Sequence, residues 1–107
     1  MRGVTGLAII VATGDPERLQ TALTLAASHA ALGGRTRLLF DSAAVGLAAE
    51  ASGSLWESCL ELGADVILCQ TGLAAAGLDA ASLDPRFSFG GMIGLLADLG
   101  KDRLVVV

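Results

Sequence analysis

Asp65-Val66-Ile67-Leu68-Cys69, running straight into Gln70-Thr71-Gly72, is the stretch on which the reading of the fold turns. A short apolar run bounded by a glycine stop and a helix start reads as a strand covered on both faces, the pattern of a parallel sheet. Upstream, Gly63 ends a helix in which Leu55, Cys59 and Leu62 share one stripe, and Ser54 and Glu57 have the spacing of a capping box at its start. Downstream, Thr71–Ala76 reads as a short helix stopped at Gly77.

The same alternation extends in both directions. Leu7–Ala12 is another apolar, β-branched run. Asp15 then supplies an N-cap, Pro16 suits the first helical position, and Glu17 complements the helix dipole. Leu19, Leu23, Ala26 and Ala30 recur at helical spacing up to Gly33-Gly34. Arg35–Phe40 reads as a second strand, Ala43–Glu50 as a short helix, and Ala51-Ser52-Gly53 as a break. Leu78–Phe89, with Asp84-Pro85, reads as a connection. Gly90-Gly91 precedes a last helix, Met92–Leu99, ended by Gly100, and Arg103–Val107 reads as a final strand. The expectation is one domain over residues 1–107: a three-layer α/β/α sandwich with a mostly parallel sheet of four to five strands.

Composition narrows the function classes. Of the 107 residues 53% are apolar but only 4% aromatic, so the core must be built from Ala, Leu, Val and Ile. So much apolar surface in a small domain predicts a homo-oligomer. The long uncharged stretches, Leu19–Gly34 and Val66–Leu78, fall short of the roughly 20 apolar residues that span a bilayer. Met1–Gly6 is expected to be short and without structure, and no secretory signal pattern opens the chain, so a cytoplasmic location is expected. A net charge of −4 with scattered basic residues argues against nucleic acid as a partner. The two cysteines form no CxxC pair, nothing has zinc-site spacing, and no metal is expected. Nothing supports a Cys59–Cys69 disulfide, and a reducing compartment would keep both as thiols.

In open parallel sheets ligands bind beyond the carboxyl ends of the strands. The loops Thr13–Pro16, Phe40–Ser42 and Cys69–Gly72 must reach that edge. Cys69 is the candidate catalytic residue, since backbone N–H groups at a helix start stabilise a thiolate. Its competing reading is an inert, buried strand-end thiol. Thr13, Gly14, Asp15, Gln70, Thr71 and Gly72 are the candidate binding residues. The Thr13-Gly14-Asp15 loop could hold an anion at its helix start, though it has neither G-x-G-x-x-G nor a P-loop. Cys59 reads as core, His29 as a surface or subunit-contact residue, and Trp56 as a packing or interface aromatic. Asp79, Asp84 and Asp98 read as solvated or capping carboxylates.

The run Leu62-Gly63-Ala64-Asp65-Val66-Ile67-Leu68-Cys69-Gln70-Thr71-Gly72, followed by Gly77-Leu78, resembles the DsrE/DsrF-like family of small sulfur-relay proteins. Thr13-Gly14-Asp15-Pro16, the Gly33-Gly34-Arg35 step, and Gly90-Gly91 through Asp102-Arg103-Leu104-Val105 extend the likeness over nearly the whole chain. The resemblance implies a cytoplasmic homo- or hetero-oligomer without metal or organic cofactor. It further implies that Cys69 carries sulfane sulfur as a persulfide, taken from a donor protein and passed to an acceptor thiol. The rival from another class is a non-catalytic oligomeric module in which Cys69 is structural. A rhodanese-like transferase lacks arginines in the Cys69 loop, a receiver domain would need Asp where Cys69 stands, and a thioredoxin-like enzyme would need a paired cysteine.

Overall fold

The structure, a computed structural model, describes residues 4–107, so Met1–Gly3 of the segment expected to lack structure lie outside the described residues. Strands β1 (Leu7–Val11), β2 (Thr36–Phe40), β3 (Asp65–Cys69), β4 (Ser88–Gly90) and β5 (Arg103–Val106) form one sheet in the order β4-β3-β2-β1-β5. Every neighbouring pair is parallel. Helices α1 (Pro16–Ala31), α2 (Val45–Glu50), α3 (Ser54–Glu61), α4 (Gln70–Ala75) and α5 (Met92–Ala97) lie between the strands. This is the expected three-layer sandwich, with five strands. No helix of the described residues is long and apolar enough to cross a membrane.

The two helical layers are unequal. Ile9, Val11, Leu38, Phe40, Val66 and Leu68 face a large core shared with residues of α1, α2, α3 and α4. Ala8, Ile10 and Leu39 face the other way and meet only Leu95 of α5, with Ile67, Met92 and Leu99 at the margin. Right-handed crossovers explain the asymmetry. From β1 to β4 the chain steps steadily toward one edge, which keeps its helices on one face. The β4-to-β5 connection returns across the sheet to the far edge, and the same handedness puts α5 on the opposite face.

Local chemistry sets the boundaries. Asp15 caps α1 as expected, its carboxylate accepting the Glu17 N–H at 2.9 Å. Trp56 packs edge-on between Phe40 (5.9 Å) and Phe87 (5.8 Å), a core role. Cys59 is fully buried, as expected of it.

Several expectations are corrected. Ser54 and Glu57 form no capping box: Gly53 is the N-cap, with φ of 102°, and Glu57 instead binds Arg86. Leu62 leaves the α3 stripe because it is the C-cap, and it is 46% exposed. The Leu78–Phe89 connection contains a 3-10 turn at Ala80–Ser82, and strand β4 begins at its end, too short to show a period. Asp98 is no isolated carboxylate: it binds Arg35 and Arg37, and Asp102 binds Arg37 at 3.0 Å. Asp84 likewise holds Arg86, whereas Asp79 is a capping carboxylate as expected, at the Ala80–Ser82 turn.

Two close approaches make glycine obligatory. A Cβ on Gly6 would fall on the Asp102 carboxylate that holds Arg37, and one on Gly34 would fall on the His29 ring. That ring does more than the surface role expected of it. Its Nε2 donates to the Thr5 carbonyl and its Nδ1 meets the Thr36 hydroxyl, both at 2.7 Å, tying α1 to the entries of β1 and β2.

Candidate functional site

The sheet's topology selects one place on its carboxyl edge. β3 leads into α4, whose Leu73 packs in the large core, whereas β4 leads into α5 on the opposite face. Where neighbouring strands send their connections to opposite faces, a crevice opens between their carboxyl ends. The residues at that point are Cys69 and Gly90, which are register partners in the β3–β4 ladder.

Each is there for a local reason. β3 alternates between exposed, buried and half-buried positions, ending on half-buried Cys69. Cys69 has extended backbone angles and is the N-cap of α4, so its sulfur stands at the turn and not within a helix. Gly90 opposite it has no side chain. Its hypothetical Cβ would touch only Ile67, at 3.3 Å, and one on Gly91 would meet nothing. Gly90 and Gly91 thus put no side chain of their own at the carboxyl end of β4, beside the position of Cys69 in the ladder.

On the other side the rim is formed by the 3-10 turn Ser42–Ala44 that follows β2. Gly72 packs against it so closely that a Cβ would come within 3.1 Å of both the Ser42 Cα and the Val45 side chain. A hollow of about 290 Å³ lies here, lined by Ser42, Thr71, Gly72, Ala75 and Ala76. Ser42 has φ of 21°, a sparsely populated value for a residue with a side chain. Such strain costs on the order of 1–3 kcal/mol and gathers at functional sites. Nothing in Asp41-Ser42 beyond an ordinary turn signal points to it.

The candidate binding residues fall into two groups. Gln70, Thr71 and Gly72 continue directly from Cys69, and the last two line the hollow. Thr13, Gly14 and Asp15 follow β1, which β2 separates from β3. Thr13 and Asp15 are occupied with each other, the Asp15 N–H donating to the Thr13 hydroxyl at 3.0 Å. Gly14 faces the Ala43 carbonyl, so this loop meets the turn that also carries Ser42, but it does not line the hollow.

The two thiols, both free, differ in kind. Cys59 donates to the Leu23 carbonyl at 3.2 Å, and burial pushes its pKa up, which suppresses the thiolate. Cys69 packs against the core only in part. The ion pairs of Arg35 and Arg37 lie at the opposite, amino end of the sheet. Among the described residues no group of three or more His, Cys, Asp or Glu side chains is placed to hold a metal ion.

No protein-family model matches the chain, and no curated protein sequence does. Solved structures do. The ychN protein from E. coli is 23% identical and superposes with a TM-score of 0.77, covering 96% of this chain and 100% of its own. A protein of unknown function from Methanobacterium thermoautotrophicum, MTH1491, is 15% identical with a TM-score of 0.78, covering 97% of this chain and 100% of its own. The likeness runs over nearly the whole of each chain and establishes the shared parallel α/β architecture.

Proposed function

We propose that this chain is a cytoplasmic sulfur-relay protein that carries sulfane sulfur on Cys69 as a persulfide and passes it to a partner's thiol. The observation that carries the reading is the place of Cys69: a half-buried thiol at the β3–β4 switch point, opposite a glycine. The shared fold with DsrE-like structures supports it at the level of architecture.

The chemistry asks little of the protein. The Cys69 thiolate attacks the outer sulfur of a donor persulfide, R–S–SH. The donor's S–S bond breaks, the donor leaves as its thiolate, and Cys69–S–SH remains. An acceptor thiolate then attacks that outer sulfur and restores the Cys69 thiolate. The sulfane sulfur keeps its oxidation state, so no oxidant or cofactor is consumed. What the fold must supply is access for two successive protein thiols, and the lack of side chains at Gly90 and Gly91 favours an approach from the β4 edge. Exposed Thr71, with buried Gly72 packing the Ser42 turn behind it, is proposed as part of the surface on which a donor or acceptor rests. A reducing compartment fits two cysteines that remain free thiols.

The test is intact mass after incubation with glutathione persulfide, followed by addition of an acceptor thiol. One sulfur atom should be gained, and the acceptor should remove it. The gain should vanish in Cys69→Ser and persist in Cys59→Ser. Absence of any gain, or a gain that follows Cys59, overturns the proposal in favour of an assembly module with a structural Cys69.

A further inference from the structure

The two edges of the sheet are differently protected. β4 has only three residues and ends in Gly90-Gly91, so it offers little to pair with. β5 is the opposite edge, bonded among the described residues to β1 alone. Arg103 N–H donates to the Gly6 carbonyl and Val107 N–H to the Ile10 carbonyl. Peptide groups along a strand alternate in direction, so those of Leu104 and Val106 point away from the sheet. Their side chains are 42% and 63% exposed. Natural edges are usually blunted by charged side chains, proline or a bulge, and beyond Arg103 the run Leu-Val-Val has none of these. Both flanks of this edge carry apolar side chains. On the α1 face a cavity of about 390 Å³ is lined by Val4, Leu7, Leu25, Leu32 and Val105 among others. On the α5 face Ile93, 86% exposed, and Leu96 add to Leu104 and Val106.

We infer that β5 pairs antiparallel with β5 of a second copy, across a two-fold axis at Val105. The register follows from the geometry. With Val105 opposite its own counterpart, Leu104 of one copy faces Val106 of the other. Both then present outward N–H and C=O groups, so each of the two such pairs exchanges two hydrogen bonds. The contact is self-complementary and closes on two copies, whereas β5 meeting the shorter β4 edge would propagate without end. The two sheets become one, and the apolar flanks of one copy continue into those of the other. The homo-oligomer proposed above thereby acquires a specific surface, one independent of Cys69.

The experiment has two arms. In the first, light scattering coupled to size exclusion should give a dimer, or an even multiple, for the wild-type chain. Val106→Pro removes an outward N–H but no β1 bond, and Leu104→Lys places charges at the seam. Either should halve the measured mass while far-UV circular dichroism stays unchanged. In the second, Val105→Cys in a Cys69→Ser background is oxidised with copper–phenanthroline. Directly opposed residues at a non-hydrogen-bonded position lie about 4.5 Å apart, within disulfide reach. A covalent dimer should form, and Leu104→Cys, displaced from its own counterpart, should form far less. A wild-type monomer, a mass indifferent to both substitutions, or equal cross-linking at 104 and 105 overturns the inference. If Val106→Pro does not fold, Leu104→Lys and the cysteine arm decide.

Discussion

Cys69 stands opposite Gly90 in the β3–β4 ladder, at the one pair of neighbouring strands whose following helices, α4 and α5, pack on opposite faces of the sheet. The proposed relay takes its approach to the thiol from this glycine side, which a larger residue would narrow. In Gly90→Val the new side chain starts 3.3 Å from Ile67 and adds bulk at the register position beside Cys69. Alkylation of the native Cys69 thiol should slow several-fold, with the melting temperature little changed. Stopped-flow thiol labelling checks this, and an unaltered rate would place the approach route elsewhere.

His29 and Gly34 form one unit. A Cβ on Gly34 would lie 2.6 Å from the ring's Nε2, so Gly34→Ala must expel the ring and break its bonds to Thr5 and Thr36. The expected cost is about 2 kcal/mol, a melting-point drop on the order of 10 °C for a domain of this size. His29→Ala should cost a similar amount, and the double variant little more, because both changes remove the same contacts. Additive losses in thermal unfolding would contradict the clamp.

Arg37 is 4% exposed and leans on Asp102, with Asp98 at its outer side. Removing one partner of a buried pair leaves an uncompensated charge, so Asp102→Ala should cost about 3–5 kcal/mol. The double variant Arg37→Met, Asp102→Ala should recover most of that loss. Urea denaturation of the three variants measures it, and a double variant as unstable as Asp102→Ala would refute the reading.

Arg86 holds Glu57 and Asp84, and its guanidinium lowers both carboxyl groups below their ordinary values of 4.5 and 3.8. Depressed carboxylates add stability above those values and lose it as the pH falls through the folded-state ones. Wild type should therefore exceed Arg86→Met at neutral pH, and the gap should close in acid below the ordinary values. The contribution is small, because these groups are solvent-exposed. A gap that widens in acid, measured by melting temperature, would contradict the sign.

These contacts also mark the limit of what could be read from the chain alone. The layered fold was legible because buried parallel strands are continuous apolar runs, and because Asp15-Pro16 and the glycine stops are local signals. Cys69 was legible for the same reason, as the last residue of such a run. The rest depends on residues far apart in sequence. Glu57 has the spacing of a capping box yet serves Arg86. Gly34 reads only as part of a helix stop, and Gly6 as part of an opening segment without structure, until His29 and Asp102 fold onto them. Strand β4 is too short to have a period, and so the crevice beside Cys69 was invisible until the sheet order was known.

Sulfur relay requires the sulfur of Cys69 to be reachable in the folded protein, and native-state alkylation followed by peptide mass mapping tests that most directly, with Cys59 as the internal control. The expected result is rapid modification of Cys69 under conditions that leave Cys59 untouched until the protein unfolds. Modification of Cys69 no faster than global unfolding, in step with Cys59, would contradict it.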